Sequence, residues 1–176
     1  MYVGNTDPSD IKRYRNASAD GLWRWVLFDL DWAYHTDANS ISAWLTPGGT
    51  GYRGQTDNTL FVACMNNPTF RDQFLTHFGE QLATTFAPES ILARFEERYN
   101  VLKTILPDHR ERWGGSQEKY EKQLSKVVSY AKRRPARMLQ YFKYDNTLRL
   151  SQADYEKYFG EAMKVLNVTY DQISRP

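Results

Sequence analysis

Trp23-Arg24-Trp25-Val26-Leu27-Phe28-Asp29-Leu30-Asp31 is the stretch on which the reading of this chain turns. Trp23, Trp25 and Leu27 alternate with Arg24, the period of two that marks a half-buried strand, because successive side chains of an extended chain point to opposite faces. The strand then runs into two carboxylates one residue apart. Alternation sets Asp29 and Asp31 on one side, where they repel each other unless a cation or basic groups lie between them. Upstream, Ile11-Lys12-Arg13-Tyr14-Arg15 is a second strand-like run, and the Asp20-Gly21 pair between the two runs signals a hairpin. That hairpin returns the chain from a first acidic loop, Asn5-Thr6-Asp7-Pro8-Ser9-Asp10, to the second acidic cluster.

Beyond the hairpin, residues 36–57 are rich in Gly, Ser, Asn and Thr, with Pro47-Gly48-Gly49, Gly51 and Gly54 among them. They are expected to form a long loop, and long loops in compact domains tend to carry function. From Asn58 the pattern turns helical. Asn58 is placed to cap residues 60–65, and Pro68 suits the first turn of a helix on which Phe70, Phe74, Phe78 and Leu82 recur at helical spacing. That aromatic stripe reads as core. Pro88-Glu89 opens a third helix with Ile91, Leu92, Phe95, Tyr99 and Leu102 on one face, which Pro107 is expected to end or kink. Gly114-Gly115-Ser116 separates it from residues 117–133, where Tyr120, Leu124, Val127, Val128 and Ala131 form a stripe. Pro135 is expected to break that helix, and a last one is expected to start at Ser151. The fold class is α+β and mostly α: a small N-terminal β-hairpin followed by a helical bundle. The reading divides one domain, 1–176, into the hairpin (1–35), the Gly-rich loop (36–57) and the helical part (58–176).

Composition constrains the rest. Of 176 residues, 41% are hydrophobic and 15% aromatic, ample material for a core, and the net charge of +2 singles out no partner. Lys132-Arg133-Arg134 and Arg137 cluster, but a short basic run on a helix reads as a solvated face rather than a nucleic-acid patch. Cys64 is the one cysteine and stands in an apolar run, so it is expected to be buried and inert. His35, His77 and His109 are too far apart for a zincin-type pair. No stretch approaches the roughly 18 apolar residues of a membrane span.

An Asp-x-Asp pair at a strand end has two readings, a cap for the following turn or a pair of hard oxygen ligands of the kind Mg²⁺ or Mn²⁺ takes in phosphoryl transfer. A loop Asp before a hairpin and a strand-end Asp after it share the layout of protein kinases, though His-Arg-Asp and Asp-Phe-Gly are both absent. Arg13 and Arg15, alternating with Tyr14, read as exposed sheet residues or phosphate contacts. Trp32, Tyr34 and Trp44 read as core or as a platform for a base or sugar.

The combination of Asn5-Thr6-Asp7, residues 11–15, and Trp25-Val26-Leu27-Phe28-Asp29-Leu30-Asp31-Trp32-Ala33-Tyr34 resembles the signature of the CotH kinase family. Leu60-Phe61, Asn67-Pro68-Thr69-Phe70-Arg71, Thr84-Thr85-Phe86 and Arg133-Arg134-Pro135 extend the resemblance to roughly Phe142. It implies the C-terminal lobe of an atypical protein-kinase-like fold, using ATP and Mg²⁺ or Mn²⁺ to phosphorylate Ser/Thr hydroxyls of a protein substrate. By position, Asp7 would be the catalytic base, Asp29 the main metal ligand with Asp31 in support, and Asn5 a shaper of the catalytic loop. Asp10 stands near where family members often carry Asn as a second metal ligand, and it adds a negative charge beside the phosphates. No Gly-rich phosphate loop and no ATP-contacting Lys precede Asp7, so the main nucleotide-binding elements are expected upstream and the isolated chain is expected to transfer phosphate poorly or not at all. A bacterial cell-surface or spore setting is implied by the resemblance alone. The competing readings are a non-catalytic helical module that binds another protein and a surface-associated Ca²⁺-binding module.

Overall fold

A computed structural model describes residues 1–4, 12–26, 33–34, 37–48 and 58–176. Among the described residues there is one two-stranded antiparallel sheet, β1 (Lys12–Arg15) and β2 (Trp23–Val26), followed by six helices. These are α1 (Ser40–Leu45), α2 (Thr59–Met65), α3 (Pro68–Ala83), α4 (Pro88–Trp113), α5 (Gln117–Lys143) and α6 (Gln152–Val165). Contacts divide the chain into two compact units: Met1–Arg71 with Asp145–Leu148, and Asp72–Tyr144 with Arg149–Pro176.

In the first unit the hairpin forms where the two runs alternate, pairing Lys12 with Val26, Arg13 with Trp25, Tyr14 with Arg24 and Arg15 with Trp23. Its connection is longer than an Asp-Gly turn. The Asn16 carbonyl accepts from the Ala19 and Gly21 amides, and Gly21 takes a φ of 67°, a region that costs a residue lacking Cβ little. Trp23 was expected on a half-buried face, yet it is 69% exposed, because two strands alone leave both faces of a sheet uncovered.

The stretch read as a Gly-rich loop contains α1, which corrects that expectation. Asn39 accepts the Ser42 amide at 3.0 Å and so caps the helix, and Ile41 and Leu45, four residues apart, are buried together. The six residues from Ser40 to Leu45, none of them Gly or Pro, are enough for a helix once their apolar face is covered. Residues 49–57 lie outside the described ones. Asn58 stands at the N-cap of α2, but its side chain makes no capping bond. Instead it is buried, and its amide nitrogen donates to the carbonyls of Ala43, Trp44 and Thr46 at 3.2, 3.2 and 2.5 Å, so it fastens the end of α1. Arg71 reaches the Leu148 carbonyl at 2.6 Å, and Asp145 accepts the Thr147 and Leu148 amides, which holds the 145–148 turn in this unit. Cys64 is half-buried rather than fully buried.

In the second unit α3, α5 and α6 meet on aromatic rings. Phe142 is fully buried, 4.8 Å from Phe78 and 4.7 Å from Phe159, and Phe159 continues to Tyr155 at 5.0 Å. The Phe stripe is therefore core, as its spacing predicted, with Phe74 and Phe78 themselves half-buried. At Gly79, α3 comes so close to α6 that a Cβ would lie 1.8 Å from the Tyr158 carbonyl oxygen.

Two proline expectations are corrected. α4 continues through Pro107 and α5 through Pro135. A proline inside a helix loses one backbone hydrogen bond and costs about 3 kcal/mol or more. Around Pro135 the burial of Ala131, Met138, Leu139 and Phe142 offsets that cost. Around Pro107 no such burial exists; α4 nonetheless continues to Trp113, and the Arg110 guanidinium bonds Gln117 at the start of α5. The basic run is also not uniformly solvated: Lys132 and Arg133 are exposed, but Arg134 is fully buried with its guanidinium 5.5 Å from the rings of both Tyr130 and Tyr141. Gly114, at φ 77°, and Ser116, which accepts the Lys119 amide, end α4 and start α5 as read from sequence, and Ser151 likewise caps α6.

Candidate functional site

The first unit joins the flanks of the two acidic clusters at both ends. On one side the hairpin ladder begins at Lys12 opposite Val26, two residues after Asp10 and three before Asp29. On the other side the Tyr34 amide donates to the Val3 carbonyl at 2.9 Å, two residues before Asn5 and three after Asp31. The start of the chain is itself fastened: Gly4 donates back to the Met1 carbonyl, the Ser40 hydroxyl donates to that same oxygen at 2.7 Å, and Tyr2 is buried. Asn5, Asp7, Asp10, Asp29 and Asp31, the residues singled out for catalysis and metal binding, lie outside the described residues, as does Trp32.

Tyr34 sits at the junction with a φ of 60°, a left-handed backbone that a residue with a bulky side chain adopts at a cost of about 1–3 kcal/mol. Such strain persists where surrounding contacts overdetermine it, and here the bond to Val3 is one of those contacts. Burial raises the pKa of its phenol above the ordinary value of 10.0, so the hydroxyl stays protonated through the neutral range. The conformation of Tyr34 carries no signature in sequence; only its place after the acidic cluster drew notice to it. Trp44 packs edge-on to Phe61 at 6.3 Å, and Phe61 in turn to Phe70 at 6.2 Å, so Trp44 serves the core of the first unit.

The hairpin tip is held by charge. Asp20 accepts from Arg24 through both carboxylate oxygens and from the Leu22 amide at 3.0 Å, and the Arg15 guanidinium donates to the Gly21 carbonyl at 2.6 Å. The Arg24 bond, aided by the Leu22 amide, pulls the Asp20 carboxyl from 3.8 down to about 2. Arg13 and Arg15 are both exposed on the face that Trp23 shares, since directly paired residues of an antiparallel ladder stand on the same side. Among the described residues no group of three or more His, Cys, Asp or Glu side chains is placed to hold a metal ion, and no helix is long and apolar enough to cross a membrane.

No curated protein and no solved structure matches the chain. The family model of the CotH kinase protein matches residues 1–138, a span that takes in both acidic clusters, the hairpin between them and most of α5. The chain belongs to the CotH kinase family.

Proposed function

We propose that this chain supplies the acidic half of a phosphoryl-transfer site, in which ATP is the donor and a Ser or Thr hydroxyl of a protein is the acceptor. The observation that carries the reading is the double closure of the first unit, by the Lys12–Val26 pairing at one end and the Tyr34–Val3 bond at the other. The two closures fix where the flanks of two segments stand. The Asn5-Thr6-Asp7 and Asp29-Leu30-Asp31 segments are the ones so flanked.

On this reading Asp7 accepts the proton of the acceptor hydroxyl as its oxygen attacks the γ-phosphorus. The bond from that phosphorus to the bridging oxygen breaks, ADP leaves, and the proton remains on the Asp7 carboxylate until it is lost to solvent. Asp29 and Asp31, with Asp10, form a set of hard carboxylate oxygens of the kind that suits Mg²⁺ or Mn²⁺. Such a cation would neutralise charge on the β- and γ-phosphates. Asn5 shapes the turn that presents Asp7. Arg13 and Arg15 lie on the exposed hairpin face, and guanidiniums placed there would balance phosphate charge.

The test is transfer of labelled phosphate from ATP to a Ser/Thr-rich protein, with Mg²⁺ and then Mn²⁺, using the protein as its gene encodes it. Asp7→Asn and Asp29→Asn are each expected to lower transfer by roughly 10²–10⁴-fold while the melting temperature stays within a degree or two. Either variant retaining full transfer would overturn its assigned role, and absence of any ATP-dependent labelling, including self-labelling, would overturn the function.

A further inference from the structure

α4 is 26 residues long and buries none of them, yet its acidic residues keep away from one side of it. Its contact with α5 is marked by Tyr99, which stacks on Tyr120 at 6.5 Å, and by Arg110, which bonds Gln117. At about 100° per residue, Glu96, Glu97, Asp108 and Glu111 fall on one flank of that contact line. The other flank, about 120° wide by the same count, holds Val101, Leu102, Ile105 and Trp113, exposed by 64, 47, 55 and 70%. Arg94, Arg98 and Arg112 share that flank, and no acidic residue does.

We propose that this flank of α4 is a docking strip for an acidic amphipathic helix of another protein. The strip runs from Arg94 to Trp113, about 28 Å at 1.5 Å per residue, the length of roughly five helical turns. Ile105 stands four residues after Val101 and three after Leu102, the spacing that a helix laid alongside reads as anchors, and Trp113 follows eight residues on. All three of its cations are arginines, whose planar fork pairs carboxylates two bonds at a time, and tryptophan with arginine is the pairing enriched where binding energy concentrates. Arg112 already lies over the Trp113 ring at 5.2 Å, which preorganises that end. The position of the arginines decides against a lipid surface. By the same count Arg98 falls in the middle of the apolar sector, with Arg94 and Arg112 about 20° inside its Val101 edge, so seating the strip at acyl depth would immerse Arg98, whereas a partner with carboxylates between its apolar residues pairs all three.

The experiment measures, by fluorescence anisotropy, binding of the whole protein to a labelled helical peptide with leucines at alternate three- and four-residue spacing and glutamates on the flanks. The same peptide with lysine for glutamate is the control. The glutamate peptide is expected to bind at least tenfold more tightly than the lysine peptide, and R94Q/R98Q/R112Q is expected to erase that preference. Because these side chains are exposed, the triple variant keeps the wild-type circular dichroism and melting temperature; a second variant, Ile105→Ser, weakens both peptides alike. Equal binding of the two peptides, an unchanged preference in the arginine variant, binding to phosphatidylglycerol vesicles without affinity for the glutamate peptide, or self-association through this strip in sedimentation would each overturn the proposal.

Discussion

The two units of this chain are held together by different chemistry. The first relies on polar fasteners: Asn58 on three carbonyls, Ser40 on Met1, Arg71 on Leu148, Asp145 on its own turn and Asp20 on Arg24. The second is centred on edge-on and tilted rings around Phe142, with a glycine where two backbones nearly touch and Lys143 donating to the Tyr170 and Ile173 carbonyls. Directional bonds hold irregular backbone in place, which apolar packing alone does poorly, and irregular backbone is where sites are built. Ring packing makes a scaffold. The proposed phosphoryl transfer would draw on the acidic clusters in the sequence of the first unit, and the proposed docking on α4 of the second.

The sharpest break of that comparison is Phe142→Ala. With Phe78 and Phe159 losing their shared neighbour, the expected cost is about 3–5 kcal/mol in urea denaturation followed by far-ultraviolet circular dichroism. A cost below about 1 kcal/mol would mean the ring cluster is not what holds the second unit. Gly79→Ala comes next, at about 3 kcal/mol, because the new methyl group meets backbone oxygen and not a side chain that can turn away. Asn58→Ala tests the first unit by leaving one buried and two partly buried carbonyls short of a donor, an expected loss of about 2 kcal/mol. Asn58→Asp, which cannot donate when ionised, should cost at least as much if donation is the role.

The smallest effect is the pH dependence at the hairpin tip. The Asp20 carboxyl is held below its ordinary 3.8, so the ionised form is favoured in the folded hairpin. Its contribution is fully present above pH 3.8 and is lost as pH falls from there toward about 2. A side-chain carbon titration by NMR should give a midpoint near the lower value in the native chain and near the ordinary one in Arg24→Gln. Equal midpoints in the two would show that Arg24 does not hold the carboxylate.

Much of the architecture was legible in the residue pattern. The alternation of residues 23–27, the glycines after Trp113, and the serines at 116 and 151 act through neighbours along the chain, and each element they predict is present. The site was legible only as a candidate: Asn5, Asp7, Asp10, Asp29 and Asp31 follow from motif and spacing. The Val3–Tyr34 bond that ties their flanks, and the left-handed Tyr34, could not be read, because both arise from contacts between residues about thirty apart.

The same limit explains the misreadings. The apolar face expected on α4 was correct as a pattern, and Tyr99 on it stacks on Tyr120, but Leu102 at its end is 47% exposed, while Arg134, which looks solvated in sequence, is enclosed by tyrosines. Asn58 was placed correctly at the start of α2, yet its amide is spent on α1. What the sequence determined by itself was the hairpin, most of the helices, the caps at Ser116 and Ser151 and the family, since the elements and caps depend on short-range sterics and local hydrogen bonding. What only the tertiary structure decided was which apolar stripes are covered, which helices survive their prolines, and which polar side chains become fasteners. Burial is a property of the pair of surfaces that meet, and neither surface alone specifies the other.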